Sequence, residues 1–378
     1  MKLKLKETPE QIELIKALGS KNATTSREAA EAFAAFLGPV IQQVIQTAGT
    51  ASHIYSDAPF SEDDSPSYPL DLYYNEKDGY VTVWSQHLAG GLPTSQVEGV
   101  AEMKIATYRL DAAVSWLKRY ARRSRLDIVS KAIERMATEV LIKQERNAWA
   151  VVLRALAEAS TTTKHGGALK HLVASSTNNQ FVLGDLSTLM VRLKRINESF
   201  SGHTPVAPWS SGLTDLYVSP EVKAQIRAFA WNPMNSTGVD TSGATSRNQS
   251  LPDSVREEIY NNAGMQSMFG VNIHEMVEFG AGQKYNTLFH SFTAGHSVPG
   301  HTSGAWASGD EVLVGLDNSR GSFIRPVAKE SESGGTFTAL PDEQFNAYGS
   351  RVEKVGFYGF LEEGRICIDS RAVAGIVI

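Results

Sequence analysis

The chain has 378 residues, with 36 basic and 41 acidic side chains, a formal net charge of −5, 42% hydrophobic and 20% charged residues. That length is too great for one simple core and points to two lobes with extended arms. The slight acidic balance excludes the basic excess of a typical nucleic-acid binder. The single cysteine, Cys367, excludes an intrachain disulfide, suits a reducing compartment and reads as a buried, inert thiol. The longest apolar stretches, such as Ala32 to Ile41, fall far short of the about 20 residues that span a membrane. Met1 to Lys6 is basic but is followed by polar residues, so no signal-peptide apolar region is expected.

Thr8-Pro9-Glu10-Gln11 predicts a helix start, with Thr8 as cap, Pro9 at the first helical position and Gln11 closing a capping box; Gly19 ends that helix. A second start is expected at Thr25-Ser26-Arg27-Glu28. Phe33, Phe36, Leu37, Val40, Ile41, Val44 and Ile45 then form one apolar stripe, with a kink expected at Gly38-Pro39. Residues 1–50 therefore read as an amphipathic helical arm that lies on its own subunit or on a neighbour. A hairpin follows: Leu70, Leu72 and Tyr74 alternate, Asn75 to Gly79 can turn, and Tyr80 to Trp84 is β-prone. With a third extended run over about Ala101 to Leu110, this region reads as a projecting β-loop, broken by Gly90, Gly91 and Pro93.

From Val100 to His165 there is neither Gly nor Pro, and a helix from about Ser124 to Glu158 would be about 50 Å long. Leu126, Val129, Ile133, Met136 and Val140 form its seam, continued by Trp149, Val152, Leu153 and Leu156. Asp127, Lys131, Arg135, Glu139 and Lys143 form the opposite face. A helix from Asp185 turns Leu186, Leu189, Met190, Leu193 and Ile196 inward. Leu213 to Glu221 reads as a strand running into a Ser219 cap with Pro220 at the first helical position. A polar loop covers Asn232 to Pro252 and a helix about Asp253 to Asn262. β-Type runs follow at 269–279, 310–316, 321–328 and 351–360, and the chain closes on 364–378.

The chemical motifs each fail on inspection. His290, His296 and His301 cluster in a loop, but their spacing matches no zinc motif. His274-Glu275 lacks the second His of a helical metalloprotease motif. Gly280-Ala281-Gly282 has Tyr285 where a dinucleotide fingerprint needs its third Gly. Gly295 to Gly300 is one residue too long for a nucleophile elbow. The pairs Asp63-Asp64, Glu257-Glu258 and Glu362-Glu363 read as solvated faces. Lys118, Arg119, Arg122, Arg123 and Arg125 place five positive charges in eight residues, and partners within or between subunits are expected for them. No catalytic, cofactor-binding or metal-binding residue is assigned, and no enzyme activity is expected.

Lys104 to Leu110 leading through Arg125-Leu126-Asp127-Ile128, the helix Met136 to Arg154 with Glu145-Arg146-Asn147 inside it, Leu216 to Glu221, Phe269 to Ile273, and Gly364 to Val373 follow one another in an order that resembles the tailed-bacteriophage major capsid protein family, whose fold encapsulins share. The resemblance covers nearly the whole chain. It implies an α+β fold: an N-terminal helical arm over 1–50, an extended loop region over 51–110, a spine helix and peripheral domain over 111–180, an axial domain with peripheral segments over 181–340, and a return to the peripheral domain with a C-terminal tail over 341–378. The implied function is structural, assembly through hexamers and pentamers into an icosahedral shell around packaged double-stranded DNA. The implied location is the virion, after assembly in the host cytoplasm. Scaffolding and portal proteins are the implied partners, with a decoration protein left open, and the scaffold is a separate protein because only about 50 residues precede the loop. The DNA would be enclosed without sequence-specific binding, and no membrane is involved. An encapsulin-type compartment and, third, an unrecognised hydrolase using the His290–His301 loop are the alternatives.

Overall fold

The computed structural model describes residues 8–61, 66–69, 102–123, 126–161, 171–177, 179–200, 212–228, 234–235, 248–249, 267–293, 309–329, 338–341 and 354–378. Among these, helices α1 (Pro9–Leu18) and α2 (Ala23–Ala48) precede strands β1 (Ser56–Ser61), β2 (Ser67–Pro69), β3 (Glu102–Lys104) and β4 (Tyr108–Leu117). Then come α3 (Lys118–Arg122), α4 (Leu126–Thr161), β5 (Leu172–Ala174), α5 (Leu183–Phe200), β6 (Asp215–Val218), α6 (Pro220–Ala228), β7 (Met234–Asn235), β8 (Asn248–Gln249), β9 (Ser267–Met268), β10 (Val271–Glu275) and α7 (Lys284–Thr293). The chain ends with β11 (Val312–Leu316), β12 (Phe323–Lys329), β13 (Thr338–Pro341), β14 (Lys354–Glu363), β15 (Ile366–Cys367) and β16 (Val373–Val377). The class is α+β, as expected.

The described residues fall into two compact units. The first takes those before position 70, those of Val100–Trp149 and those of Phe323–Ile366; the second takes those of Ala150–Ser322 and Cys367–Ile378. One boundary falls inside α4, and the last strand, β16, belongs with residues 150–322 because it is hydrogen-bonded between β5 and β11.

In the first unit, β1 pairs parallel with β12, and β14 pairs antiparallel with β12, with β13 and, over all ten of its residues, with β4. Along β4, Leu110 and Trp116 are buried with Ala112 and Val114 half-buried beside them, while Arg109, Asp111, Ala113 and Ser115 are exposed, the period-2 alternation of a one-faced strand. This strand extends past the expected end of the extended run at Leu110. No Gly or Pro marks where it gives way to α3 at Lys118.

The N-terminal helices are part of this core. Ile15, Leu18, Ala29, Ala30, Phe33 and Ala34 are buried with Trp116, Val129, Ile133 and Phe357, and the Phe33 ring lies 5.3 Å from Phe357 and 6.4 Å from Trp116. The Thr8 side chain makes no cap bond, so the expected capping box is not formed and Pro9 marks the start. The second helix starts at Ala23 with Asn22 as its cap, Oδ1 accepting from Thr24 N at 3.3 Å. Ser26, expected to begin that helix, instead donates to Leu18 O at 2.9 Å and ties α2 to the end of α1. Helix α2 runs unbroken through Gly38-Pro39; the side chains of the stripe beyond Phe36 lie outside the described residues.

Helix α4 has 36 residues, about 54 Å at the standard rise. Val129, Ile133, Met136 and Val140 are buried as the seam predicts, and Lys131, Arg135, Glu139 and Lys143 are exposed on the other side. Glu145 anchors the turn that follows α2: it accepts from Thr50 Oγ1 at 2.6 Å and from Ala51 N at 3.1 Å. Tyr55 OH donates to Ala148 O at 2.9 Å one turn on.

The second unit is built on a six-stranded sheet in the order β5-β16-β11-β6-β10-β9, parallel at β5/β16 and β6/β10 and antiparallel elsewhere. Leu186, Leu189, Leu193 and Ile196 of α5 are fully buried, as are Leu216, Leu313 and Ile376 of the sheet. Ser219 caps α6 as expected, its Oγ accepting from Val222 N at 3.1 Å. Strand β16 approaches its neighbours closely at Gly375, where a Cβ would stand 2.9 Å from Leu313 O and 3.0 Å from the Leu156 side chain of α4. The expected helix at 253–262 and the hairpin over 70–84 lie outside the described residues.

Candidate functional site

The residues that attract chemical suspicion are dispersed. His290 lies on α7 rather than in the expected loop; Tyr285, Phe289 and Thr293 repeat at helical spacing and are buried, the signal that the reading of this stretch missed. His296 and His301 lie outside the described residues. His274-Glu275 sits on strand β10, which removes the helix that a metalloprotease motif needs. Gly280 and Gly282 have φ of +122° and +74° and form the turn into α7. Among the described residues no group of three or more His, Cys, Asp or Glu could hold a metal ion. Burial first, then the Asp369 charge, pushes the Cys367 thiol up.

Two carboxylates each gather several hydrogen-bond donors. Glu363, at the end of β14, is fully buried, which corrects the reading of Glu362-Glu363 as a solvated pair. It accepts from Arg325 Nε at 2.7 Å, Gln144 Nε2 at 3.1 Å and Tyr108 OH at 2.9 Å, and Arg365 approaches at 3.4 Å. Burial first, then the Glu363 charge, pushes the Tyr108 phenol up to about 12. Burial lowers Arg325, but Glu363 and Asp57 outweigh it and hold the guanidinium above its usual value. Donors surround the carboxylate and it is closed to solvent, so it can neither take a proton from a substrate nor attack one. Its chemistry is that of a tie joining β4, α4, β12 and β14. Nothing in the sequence around Gln144, Arg325 or Tyr108 foretold it, because the four partners meet only in the fold.

The second centre is Asp215, at the start of β6. It receives Thr214 Oγ1 at 2.7 Å, Asn318 Nδ2 at 2.7 Å, Asn272 Nδ2 at 3.2 Å and pairs with His274 Nε2 at 2.9 Å. Burial alone would raise its carboxyl; hydrogen bonds from His274, Thr214 and Asn272 outweigh that and hold it below the usual range. The His274 ring stacks on Tyr217 at 4.8 Å. An Asp–His pair invites a catalytic reading, but Asp215 spends its lone pairs on four neighbours, from the residue before β6, from β10 and from the turn after β11, again the pattern of a tie.

The basic cluster is partly resolved into structure. Arg122 Nε donates to Gly19 O at 2.7 Å, placing a cation at the C-terminus of α1, where the helix dipole favours it. Gly19 is needed there for space, since a Cβ would stand 2.8 Å from Arg122 N. Lys118 is buried, and burial followed by the Arg122 charge lowers its ammonium group. Arg125 lies outside the described residues.

The remaining unusual features are surfaces and edges. Strands β2 and β3 form an antiparallel ribbon, Ser67 opposite Lys104 and Pro69 opposite Glu102, so the chain leaves and re-enters the expected loop region side by side. The β9–β10 hairpin carries Phe269 at its turn, 64% exposed and at φ +53°, a conformation that costs a bulky residue energy. Among the described residues no helix is long and apolar enough to cross a membrane.

No protein-family model and no curated protein matches the sequence. Among solved structures, the chain is similar to the capsid of an empty GTA particle (14% identity, 88% of this chain and 90% of that one, TM-score 0.48). It is likewise similar to Microbacterium phage Oxtober96 (11%, 87% and 90%, TM-score 0.47) and to the holo-SrpI encapsulin complex from Synechococcus elongatus PCC 7942 (11%, 88% and 88%, TM-score 0.42).

Proposed function

We propose that this chain is a structural subunit that assembles through hexamers and pentamers into a closed icosahedral shell around the double-stranded DNA of a tailed phage. The observation that carries the proposal is the architecture: one 36-residue helix whose residues serve two separately cored units, with Ser67–Pro69 and Glu102–Lys104 paired as a two-stranded ribbon. An enzyme is built around a concave site; here the buried carboxylates are ties and the distinctive features are long, thin elements. The near-neutral charge suits a container, because a strongly basic wall would grip phosphates. The first unit would be the peripheral domain and the second the axial domain, with scaffolding, portal and decoration proteins as partners, no cofactor and no catalytic residue. An encapsulin-type compartment is the same reading with protein cargo.

Expression with the scaffolding protein, followed by electron microscopy and nucleic-acid analysis of purified particles, tests this. Closed shells that contain DNA after packaging support the phage reading; shells holding an enzyme support the compartment. A subunit that stays monomeric with its scaffold present refutes both. Replacing 72–104 with a short Gly/Ser linker should abolish assembly while the circular dichroism of the two units is kept; normal shells from that variant would remove the loop's assigned role.

A further inference from the structure

The two flanks of the first unit's sheet are finished differently. A strand edge offers every second N–H and C=O to any passing strand, and proteins blunt such edges with Pro, inward-pointing charges or brevity. Strand β1 is blunted: its six residues include the exposed Pro59, which has no N–H to give. Strand β4 is not. It runs for ten residues, about twice the usual strand, without Pro or Gly. Its inward side chains are Leu110, Ala112, Val114 and Trp116, none charged, and among the described residues it pairs with β14 alone.

The exposed face of β4 carries two charges, Arg109 and Asp111, joined at 2.7 Å and both more than half exposed. Arg109 is held in place over the Phe360 ring, 4.2 Å from its centroid. Two opposite charges two residues apart on one strand are self-complementary. An antiparallel copy related by a twofold axis at Leu110 sets each Arg109 opposite the other copy's Asp111. Shifting the axis to Ala112 removes both pairs and brings the two Asp111 side chains to diagonal positions.

We infer that the open edge of β4 docks on β4 of a second copy of this chain, antiparallel about a twofold at Leu110, so that one sheet continues through two subunits. The inference rests on the shell reading and names one of its contacts. The pairing overlaps Tyr108 to Ala112 of each copy, an ordinary strand length of about five residues, and its symmetry is the isologous kind that closed assemblies use.

Charge reversal tests it in the full chain. Asp111→Arg alone, or Arg109→Asp alone, sets like charges face to face twice per contact and should weaken self-association roughly tenfold. The double variant Arg109→Asp/Asp111→Arg restores opposite partners and should recover it. Sedimentation velocity reads association, circular dichroism confirms that each variant is folded, and hydrogen exchange on the wild type should show β4 amides slowed in the assembled state relative to dilute subunit. Single reversals that associate as well as wild type, a double variant that recovers nothing, or β4 amides that exchange equally in both states would each overturn the contact. If wild-type shells form while the reversals have no effect, only this contact falls. If the wild type never associates, the shell reading falls with it.

Discussion

In the first unit, the fully buried Glu363 at the end of β14 is surrounded by two arginines, a tyrosine and a glutamine, whereas Leu216, Leu313 and Ile376 of the second unit's sheet meet other hydrocarbon. The second unit likewise keeps its polar centres at strand ends: Asp215 at the start of β6, Glu311 just before β11 and Asp369 before β16. Hydrocarbon packing is non-directional and tolerates many registers of approach. A buried carboxylate accepts only donors that arrive at the right distance and angle, so it specifies how four elements meet. Both units hold such a lock: in the second, Asp369 receives Arg320 at 2.9 Å and Arg371 at 2.7 Å, all three largely buried, whereas in the first a single carboxylate, Glu363, gathers β4, α4, β12 and β14.

The largest effect should come from breaking that lock. Glu363→Ala leaves Arg325 and Arg365 buried without their carboxylate, and removal of one partner from a buried ionic group costs about 3–5 kcal/mol. Thermal unfolding should shift down by several degrees, and hydrogen exchange should rise in β4 and β14 while β11 and β16 keep their protection. Equal loosening of both regions would remove the distinction drawn between the two units.

Next in size is a break in the second unit. Gly375→Ala puts a methyl group 2.9 Å from Leu313 O, a backbone atom that cannot swing aside, and 3.0 Å from Leu156. Overpacking of this kind costs about 1–3 kcal/mol. The exchange pattern should be the mirror image, with β11, β16 and the last turns of α4 opened and β14 unaffected.

These contrasts were legible in the sequence to different degrees. The apolar seam of α4, the inward face of α5 and the Ser219-Pro220 helix start were plain, because each is a local pattern with a local cause. Strand β4 was misjudged at its far end because β-type alternation passes into helix without a breaker between Leu117 and Lys118. Helix α7 was missed because the histidine cluster drew attention to side-chain chemistry rather than to the four-residue spacing of Tyr285, Phe289 and Thr293. The Glu363 tie was illegible in principle: Tyr108, Gln144, Arg325 and Glu363 are separated by up to 255 positions, and nothing local distinguishes Glu363 from its exposed-looking neighbour.

The strand-end centres should respond to pH, and the sign differs between them. The Asp215 carboxyl is held below its usual value, so the stability it contributes is present above the unfolded value near 3.8 and is lost as pH falls through the folded one. Asp215→Asn should therefore lower stability by about 1 kcal/mol near pH 7, the net worth of a hydrogen bond to a charged group after partial replacement. The deficit should shrink toward zero on acidification, in melts run from pH 7 to pH 2.

Glu311 runs the other way and gives the smallest effect. It is nine-tenths buried, and desolvation first, then the charge of Glu221, raises its carboxyl above the usual value, with a hydrogen bond involving Ser219 partly opposing the rise. A raised carboxyl means that the folded state prefers the neutral acid. Its stabilising contribution is complete below the unfolded value near 4.5 and declines as pH rises through the folded one. At neutral pH the wild type therefore bears the cost of burying this charge beside Glu221. Glu311→Gln keeps the shape and removes the charge, so it should raise the melting temperature at pH 7 by about 1 °C, the shift expected from a few tenths of a kcal/mol in a domain of this size. The same variant should lose its advantage below about pH 4, where the wild-type carboxyl is already protonated in both states. A Gln variant that is less stable than wild type at pH 7 would mean that the Glu311 charge is matched by a cation. The second unit would then hold a charged lock at Glu311 beside the one at Asp369, and its contrast with the first would narrow to the number of elements that Glu363 joins.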